Sequence, residues 1–389
     1  MMEMTVEKKP FLKALMRQQS LVERRPSLPI LSHVLLDAQP GKVCIRGTDM
    51  EMSLSEDVLA DVPCPGSVAV PAHMLYDIVK NLPDQGGIQC VVTEKTHPES
   101  KGGVPSIEHP RLWVRNGAIE FKIPILDAKT FPTTTSGTDD FPFKLSVHAD
   151  VVKKMIDDTR SSMSNEEARY SLNGIYFHVK NHRWYAVATD GRRLAVSGVD
   201  MDPAHIAKAP GAIFSRKSVH EISKILDDTS SDVTVELSPT SMRMSFSSGV
   251  FTARLLEGQF PDYEQAIPNN HPHAIELNVQ TFYEAVRRVG MVSAEKNANI
   301  KVSFTSGKLT LSAQSHNGSA VDVLNVQYDG PDVSMGLNPR YIIDVCQNIT
   351  GDTMVFSFDN GQKPILCHGK GNHQAKFVMM PMHVVDDKH

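Results

Sequence analysis

Three stretches of the chain carry the same run of apolar and polar positions. VPAHMLYDIVKNL (70–82) aligns without gaps with FSRKSVHEISKIL (214–226) and LNPRYIIDVCQNI (337–349). Each begins extended and passes into helical spacing. The apolar positions are Leu75, Ile78, Val79 and Leu82 in the first, Val219, Ile222, Ile225 and Leu226 in the second, and Ile342, Val345, Cys346 and Ile349 in the third. Side chains three and four apart share a helix face, so each stretch predicts an amphipathic helix.

An earlier helix precedes each one, with apolar positions at Leu12, Leu15 and Met16, then Val152, Met155 and Ile156, then Phe282, Val286 and Val289. A strand-like run follows: ILSHVLLDA from Ile30, LNGIYFHV from Leu172, IKVSFTSGKLTL from Ile300. Their alternating or nearly continuous apolar residues predict strands. Thr48-Asp49 and Thr189-Asp190 open the next strand in the first two copies, which suits a turn or strand cap. FKIPILDAKTFP (121–132) then matches FTARLLEGQFP (251–261), whereas the third copy ends in AKFVMMPM (375–382) without a linker.

The copies are offset by about 130 residues, one ordinary domain. The predicted domains are 1–139, 140–268 and 269–389. The Pro-, Thr- and Gly-rich stretch 131–140 and the segment 268–273 read as linkers, and the insertion 96–110 as a surface loop. Two helices and about eight short strands per copy predict an α+β layered domain, repeated three times.

Composition narrows the class. The 389 residues are 41% hydrophobic and 22% charged, and no run approaches the ~20 apolar residues of a membrane span. The charged first ten residues lack the apolar core of a signal peptide, so a cytoplasmic, reducing location is expected. Cys44, Cys64, Cys90, Cys346 and Cys367 show no CxxC spacing, which indicates neither a disulfide framework nor a zinc knuckle and leaves them as small core residues.

The formal charge of −5 gives no basic signature for the whole chain. Cations nevertheless recur on the helices: Lys9, Lys13 and Arg17, with Arg24 and Arg25 just after; Lys80; Lys153, Lys154 and Arg160, tempered by Asp157 and Asp158; Arg216, Lys217 and Lys224; Arg287 and Arg288; Arg340. One such helix is an ordinary solvated face with pairs such as Lys217 and Glu221. Recurrence across copies, without interleaved aromatics, suits sequence-independent phosphate contact.

Six motifs, in order over essentially the whole chain, carry a family resemblance. RRPSLPILSHVLLDA (24–38), TDMEMSL (48–54), RYSLNGI (169–175), ATDGRRLAV (188–196), EGQFPDY (257–263) and VMMPM (378–382) resemble the bacterial sliding clamps, the beta subunits of DNA polymerase III. The resemblance implies a head-to-tail homodimer closing a six-domain ring, with the helices lining a hole for double-stranded DNA. It implies a non-catalytic processivity factor without cofactor or metal, nucleoid-associated. Through short peptide motifs it tethers the replicative DNA polymerase, the clamp loader and repair polymerases. DNA contact then falls on Arg24, Arg25 and Lys217, with Arg216 as neighbour. The partner-peptide pocket matches Leu172, Thr189, Gly191, Arg192, Arg193 and Leu194, then Pro261, Asn338, Tyr341, Val378, Met380, Pro381 and Met382. Apolar and flexible residues would form the cleft, with Arg and Asn at its rim. The dimer seam falls on Phe121 and Ile123 against Met291 and Val292. Departures from the family pattern are the small Ala266, the longer loop 96–110 and the tail 384–389 after His383.

Enzyme signatures are missing: no GxxxxGK[ST], GxSxG or HExxH occurs. The pairs Asp139-Asp140, Asp157-Asp158 and Asp227-Asp228 are expected on solvated faces, since adjacent helical residues diverge. His271, His273 and Glu276 share an HxH spacing but sit in a Pro-containing linker without further ligands. The competing reading is a triplicated binding scaffold for peptides or carbohydrates, without DNA encirclement. It predicts a monomer with exposed aromatics, against 6% aromatic residues.

Overall fold

The computed structural model describes residues 2–93, 110–132, 140–166, 168–202, 210–293, 299–316 and 318–382. Nearly all of the loop 96–110, most of the linker 131–140 with Asp139, and the tail 384–389 lie outside the described residues.

The first copy runs β1 (Met2–Val6), α1 (Lys8–Leu21), β2 (His33–Gln39), β3 (Lys42–Thr48), β4 (Met52–Cys64), β5 (Gly66–Pro71), α2 (Ala72–Asn81), β6 (Ile88–Thr93), β7 (Arg111–Asn116) and β8 (Ile119–Pro124). A two-residue β9 (Leu126–Asp127) follows. The second runs β10 (Phe143–His148), α3 (Ala149–Arg160), β11 (Gly174–Lys180), β12 (Arg183–Thr189), β13 (Arg193–Asp200), β14 (Ala212–Ser215), α4 (Arg216–Asp227), β15 (Asp232–Leu237), β16 (Ser241–Phe246) and β17 (Gly249–Arg254). The third runs β18 (His273–Asn278), α5 (Val279–Gly290), β19 (Ile300–Thr305), β20 (Lys308–Ser315), β21 (Gly318–Asn325), β22 (Val333–Leu337), α6 (Pro339–Asn348), β23 (Thr353–Phe358), β24 (Ile365–Gly369) and β25 (Asn372–Met379). All three share the order βαββββαβββ, so the expected α+β unit occurs three times. No helix among the described residues is long and apolar enough to cross a membrane.

By spatial contact the chain forms two units, Met1–Asp150 with His220–Leu255, and Val151–Val219 with Leu256–His389. Unit one holds an antiparallel sheet in the order β10-β15-β16-β17-β4-β1-β6-β7-β8. Its core buries Phe11 and Leu15 of α1 with Leu75 and Val79 of α2. The expected apolar face of α1 is therefore shifted: Met16 is exposed, and Arg17, placed by its spacing on a basic stripe, is buried. The reason is electrostatic. Arg17 meets Glu56 of β4 at 2.7 Å and Asp228 at 3.1 Å, and a charge leaves water only when its hydrogen bonds are replaced. Burial pushes the Glu56 carboxyl above its ordinary range, opposed by the Arg17 guanidinium.

Unit two holds one sheet ordered β14-β11-β12-β13-β25-β24-β23-β18 and another ordered β21-β20-β19-β22. Its main core packs Phe282 and Val286 of α5 and Ile342 and Cys346 of α6 against Phe304, Phe356 and Phe358. The rings of Phe304 and Phe358 stack at 4.4 Å. Asn278 and Asn338 cap α5 and α6 by accepting from the backbone N of Thr281 and Arg340, satisfying donors that a helix start leaves open. All five cysteines are free. Four are buried, and burial pushes the Cys90 and Cys346 thiols up to about 12.

Asp158 also departs from expectation. It is buried rather than solvated, accepts from Ser197 Oγ at 2.8 Å and pairs with Lys154. Asp157 is held at 3.3 Å by Lys153 and at 3.2 Å by Arg160.

Candidate functional site

The repeat places matching residues on matching rungs. In unit one, β4 pairs with β17 so that Ser53 faces Thr252 and Leu54 faces Phe251. In unit two, β13 pairs with β25 so that Leu194 faces Val378 and Ala195 faces Phe377. The turn entering each strand is the same. Thr48 Oγ1 donates to Met52 O at 2.8 Å and accepts from Met50 N at 3.0 Å. Thr189 Oγ1 donates to Arg193 O at 2.6 Å and accepts from Gly191 N at 3.0 Å. Asp49 and Asp190 each accept from the backbone N three residues on. The recurring Thr-Asp is thus a structural turn. Its third position is left-handed in both copies, Met50 at φ 77° and Gly191 at φ 83°, a region glycine enters without strain. A Cβ at 191 would also lie 2.5 Å from Arg169 Nη1.

Of the expected pocket residues, Arg193, Leu194 and Val378 share the β13–β25 ladder. Leu194 and Val378, 4% and 3% exposed, pack with Val187 and Val196, and Phe260, Tyr263 and Ile267 lie against them. Met380 donates its N to Arg192 O at 2.9 Å, and Met382 to Gly336 O at 2.8 Å. Leu172, Pro381 and Met382 are half-buried, Pro261 is exposed, and Met380 is 42% exposed.

Two of the expected rim residues have structural tasks. Arg193 reaches Asp190 at 3.1 Å, Asp344 at 2.5 Å and the Ser161 carbonyl, with its guanidinium 4.2 Å from the Tyr341 ring. Asn338 spends its side-chain oxygen on the α6 cap. Arg192 and Arg169 are exposed at this edge.

Sequence reading missed an aromatic shelf on the same sheet face. Tyr176 stacks on His178 and on Phe260, both at 4.9 Å, and His178 lies 5.3 Å from Tyr185. His178 Nε2 sits 2.9 Å from the Tyr263 hydroxyl. Burial lowers the His178 pKa and raises that of Tyr263, which favours the neutral forms of both. The alternation of Tyr176 and His178 along β11 was the available signal.

Arg24 and Arg25 are exposed just beyond α1. Arg216 opens α4 and donates Nη2 to the carbonyls of Met163 and Ser164, both at 2.8 Å, with Lys217 exposed beside it. Of the seam residues, Phe121 is 38% and Met291 73% exposed, whereas Ile123 is buried in unit one and Val292 packs half-buried on the main core of unit two. His273 lies 5.4 Å from the Phe358 ring and Glu276 pairs with Lys370 at 2.7 Å. Among the described residues no group of three His, Cys, Asp or Glu could hold a metal ion.

Three family models match in succession: DNA polymerase III beta subunit N-terminal domain over 2–135, central domain over 146–262 and C-terminal domain over 264–383. The chain belongs to the DNA polymerase III beta subunit family. The beta sliding clamp of Caulobacter vibrioides (strain NA1000 / CB15N) is 34% identical over 388 residues, covering 98% of this chain and 100% of the relative. That of Pseudomonas aeruginosa is 30% identical over 388 residues, with 98% and 100% covered. A solved C. crescentus beta sliding clamp superposes with TM-score 0.91 at 33% identity, covering 98% of this chain and 99% of that one. A Bartonella birtlesii sliding clamp bound to griselimycin gives TM-score 0.90 at 34% identity, covering 98% and 100%. A sliding clamp is a non-catalytic processivity subunit of the replicative polymerase, which sets the carbohydrate-scaffold reading aside.

Proposed function

We propose that two copies of this chain close head to tail around double-stranded DNA, and that the cleft at Leu194 and Val378 captures short peptides of the replicative polymerase, the clamp loader and repair polymerases. The carrying observation is a seam made twice within the chain and left open a third time. Ala320 of β21 faces Ala313 as Leu54 faces Gly47 and Ala195 faces Ala188. Arg288 meets Asp322 at 2.7 Å, where the other copies have Arg17 with Glu56 and Asp158 with Ser197. Yet β21 ends its sheet, and so does β8. Val321 and Val323 stand 67% and 50% exposed on that edge. Unpaired apolar edges are what proteins otherwise cover. A partner's β8 laid on β21 in the same register puts Phe121 opposite Ala320, as Phe251 lies opposite Leu54 and Phe377 opposite Ala195.

A closed ring holds DNA by topology, so dispersed contacts from Arg24, Arg25, Lys217 and Arg216 suffice and permit sliding along any sequence. The domains fall at 1–139, 140–268 and 269–389, and the ring works on the nucleoid in the cytoplasm. Griselimycin, bound in the Bartonella structure, is expected to occupy the Leu194–Val378 pocket. Negative-stain imaging of the purified protein tests the ring. Six-lobed closed particles support it; three-lobed single chains at micromolar concentration refute it.

A further inference from the structure

A second cleft lies over the other seam, within unit one. Its volume is about 620 Å³, inside the 300–1,000 Å³ range of ligand sites. The register identifies it position by position with the pocket of unit two. Val34 faces Val70 as Ile175 faces Phe214, so Leu35 stands where Tyr176 does. The same ladders put Arg46 in the place of Val187, Ser53 of Leu194, Ser55 of Val196 and Thr252 of Val378. Phe131 and Pro132 wall the cleft, as Phe260 lies against the other pocket.

The two clefts therefore share a frame and differ in chemistry. Apolar side chains seated on Ser53, Ser55 and Thr252 would strip water from these hydroxyls without returning hydrogen bonds, a net loss. Charge favours an anion. Arg46 is exposed and uses one donor, Nε, on Cys44 Sγ at 3.4 Å. Arg243 lies 4.1 Å from the Phe141 ring, and Glu236, at 3.8 Å from it, also lies 3.6 Å from Lys144. The nearby Asp57 is held by Lys42 at 2.6 Å, and Asp37 accepts from Ser67 at 2.5 Å and Gln39 at 2.7 Å. The lining thus carries two arginines against one glutamate, with apolar Leu35, Val250 and Phe131 beside them.

We infer that this cleft is a second binding site, taking a short acidic peptide segment of another protein, a carboxylate on Arg46 and an aliphatic side chain against Leu35 and Phe131. A planar guanidinium grips a carboxylate with two parallel bonds, and the hydroxyls of Ser53 and Thr252 serve the peptide backbone. The site goes beyond the reading of the unit-two pocket and does not depend on it.

The test is a titration of the full-length protein, with Leu and Val methyls labelled for NMR. The probes are acetyl-Glu-Leu-Asp-Leu-amide and its neutral isostere acetyl-Gln-Leu-Asn-Leu-amide. Saturable shifts at Leu35 and Val250 are expected with the acidic peptide, and binding at least roughly tenfold weaker with the neutral one. Arg46→Gln, an exposed substitution, should weaken the acidic peptide by about the same factor. The inference is overturned by equal binding of the two peptides, by indifference to Arg46→Gln, by shifts confined to Leu194 and Val378, or by no saturation up to about 10 mM peptide.

Discussion

Leu194 lies directly opposite Val378 on the β13–β25 ladder, and the same rung in unit one holds Ser53 opposite Thr252. One frame thus carries an apolar floor in one unit and a hydroxylated floor in the other. Copying the second floor into the first, Leu194→Ser with Val378→Thr, should remove the surface a hydrophobic ligand needs. Griselimycin affinity, read by calorimetry, is expected to fall at least about tenfold, and stability by about 1–3 kcal/mol per site. Unchanged affinity would place the ligand elsewhere.

Arg17 and Glu56 form a buried ion pair, 6% and 2% exposed at their side chains. Arg17→Ala leaves an uncompensated carboxylate in the core and is expected to cost about 3–5 kcal/mol in urea unfolding. Arg17→Met combined with Glu56→Leu removes both charges and should recover most of that loss. A double variant no better than the single one would show that packing, not charge, explains the effect.

His178 makes the stability of unit two depend on pH. Its folded pKa lies below the ordinary imidazole value because burial opposes the charged ring. An unfolded chain then binds more protons than the folded one just below that value. The His178 contribution is therefore complete above the unfolded pKa and is lost as pH falls through the folded one. Tyr263, Tyr176, Tyr185, Lys180 and Glu264 surround the ring. His178→Phe keeps the stack but cannot titrate. Between about pH 7.5 and about pH 5.5 its melting temperature should drop less than that of the parent protein. An equal drop would assign the slope to other groups.

The open edges predict oligomeric state. Phe121→Asp with Met291→Asp places carboxylates on two exposed apolar positions, which should convert a dimer to the monomer mass by light scattering. Melting of the monomer is expected to stay within about 1 kcal/mol of the parent, because surface substitutions leave the core intact. A persisting dimer would move the seam away from these residues.

Legibility followed the range of the interactions. Helices α4, α5 and α6 were readable because Val219, Ile222, Phe282, Val286, Ile342 and Cys346 recur at helical spacing and each is buried. The face of α1 was misread because its buried positions include Arg17 and Gln18, polar residues whose burial depends on Glu56, Asp228 and the carbonyls of Ile45 and Leu54. Asp158 was misplaced likewise, since its partner Ser197 lies on a strand 39 residues away. At the proposed pocket the motifs named Leu194, Arg193 and Asn338 alike, and only the fold shows that Leu194 packs on Val378 while Arg193 pairs with Asp344 and Asn338 caps α6.

The triplication, the α+β class and the family were determined by the sequence alone, because local periodicity and ordered motifs survive without tertiary contacts. Only the tertiary structure decided which strands became seams, which edges stayed open and which charges went inside. Strands β13 and β25 are far apart in the chain, and whether Leu194 meets Val378 or the neighbouring Phe377 depends on a register that a one-residue slip would change.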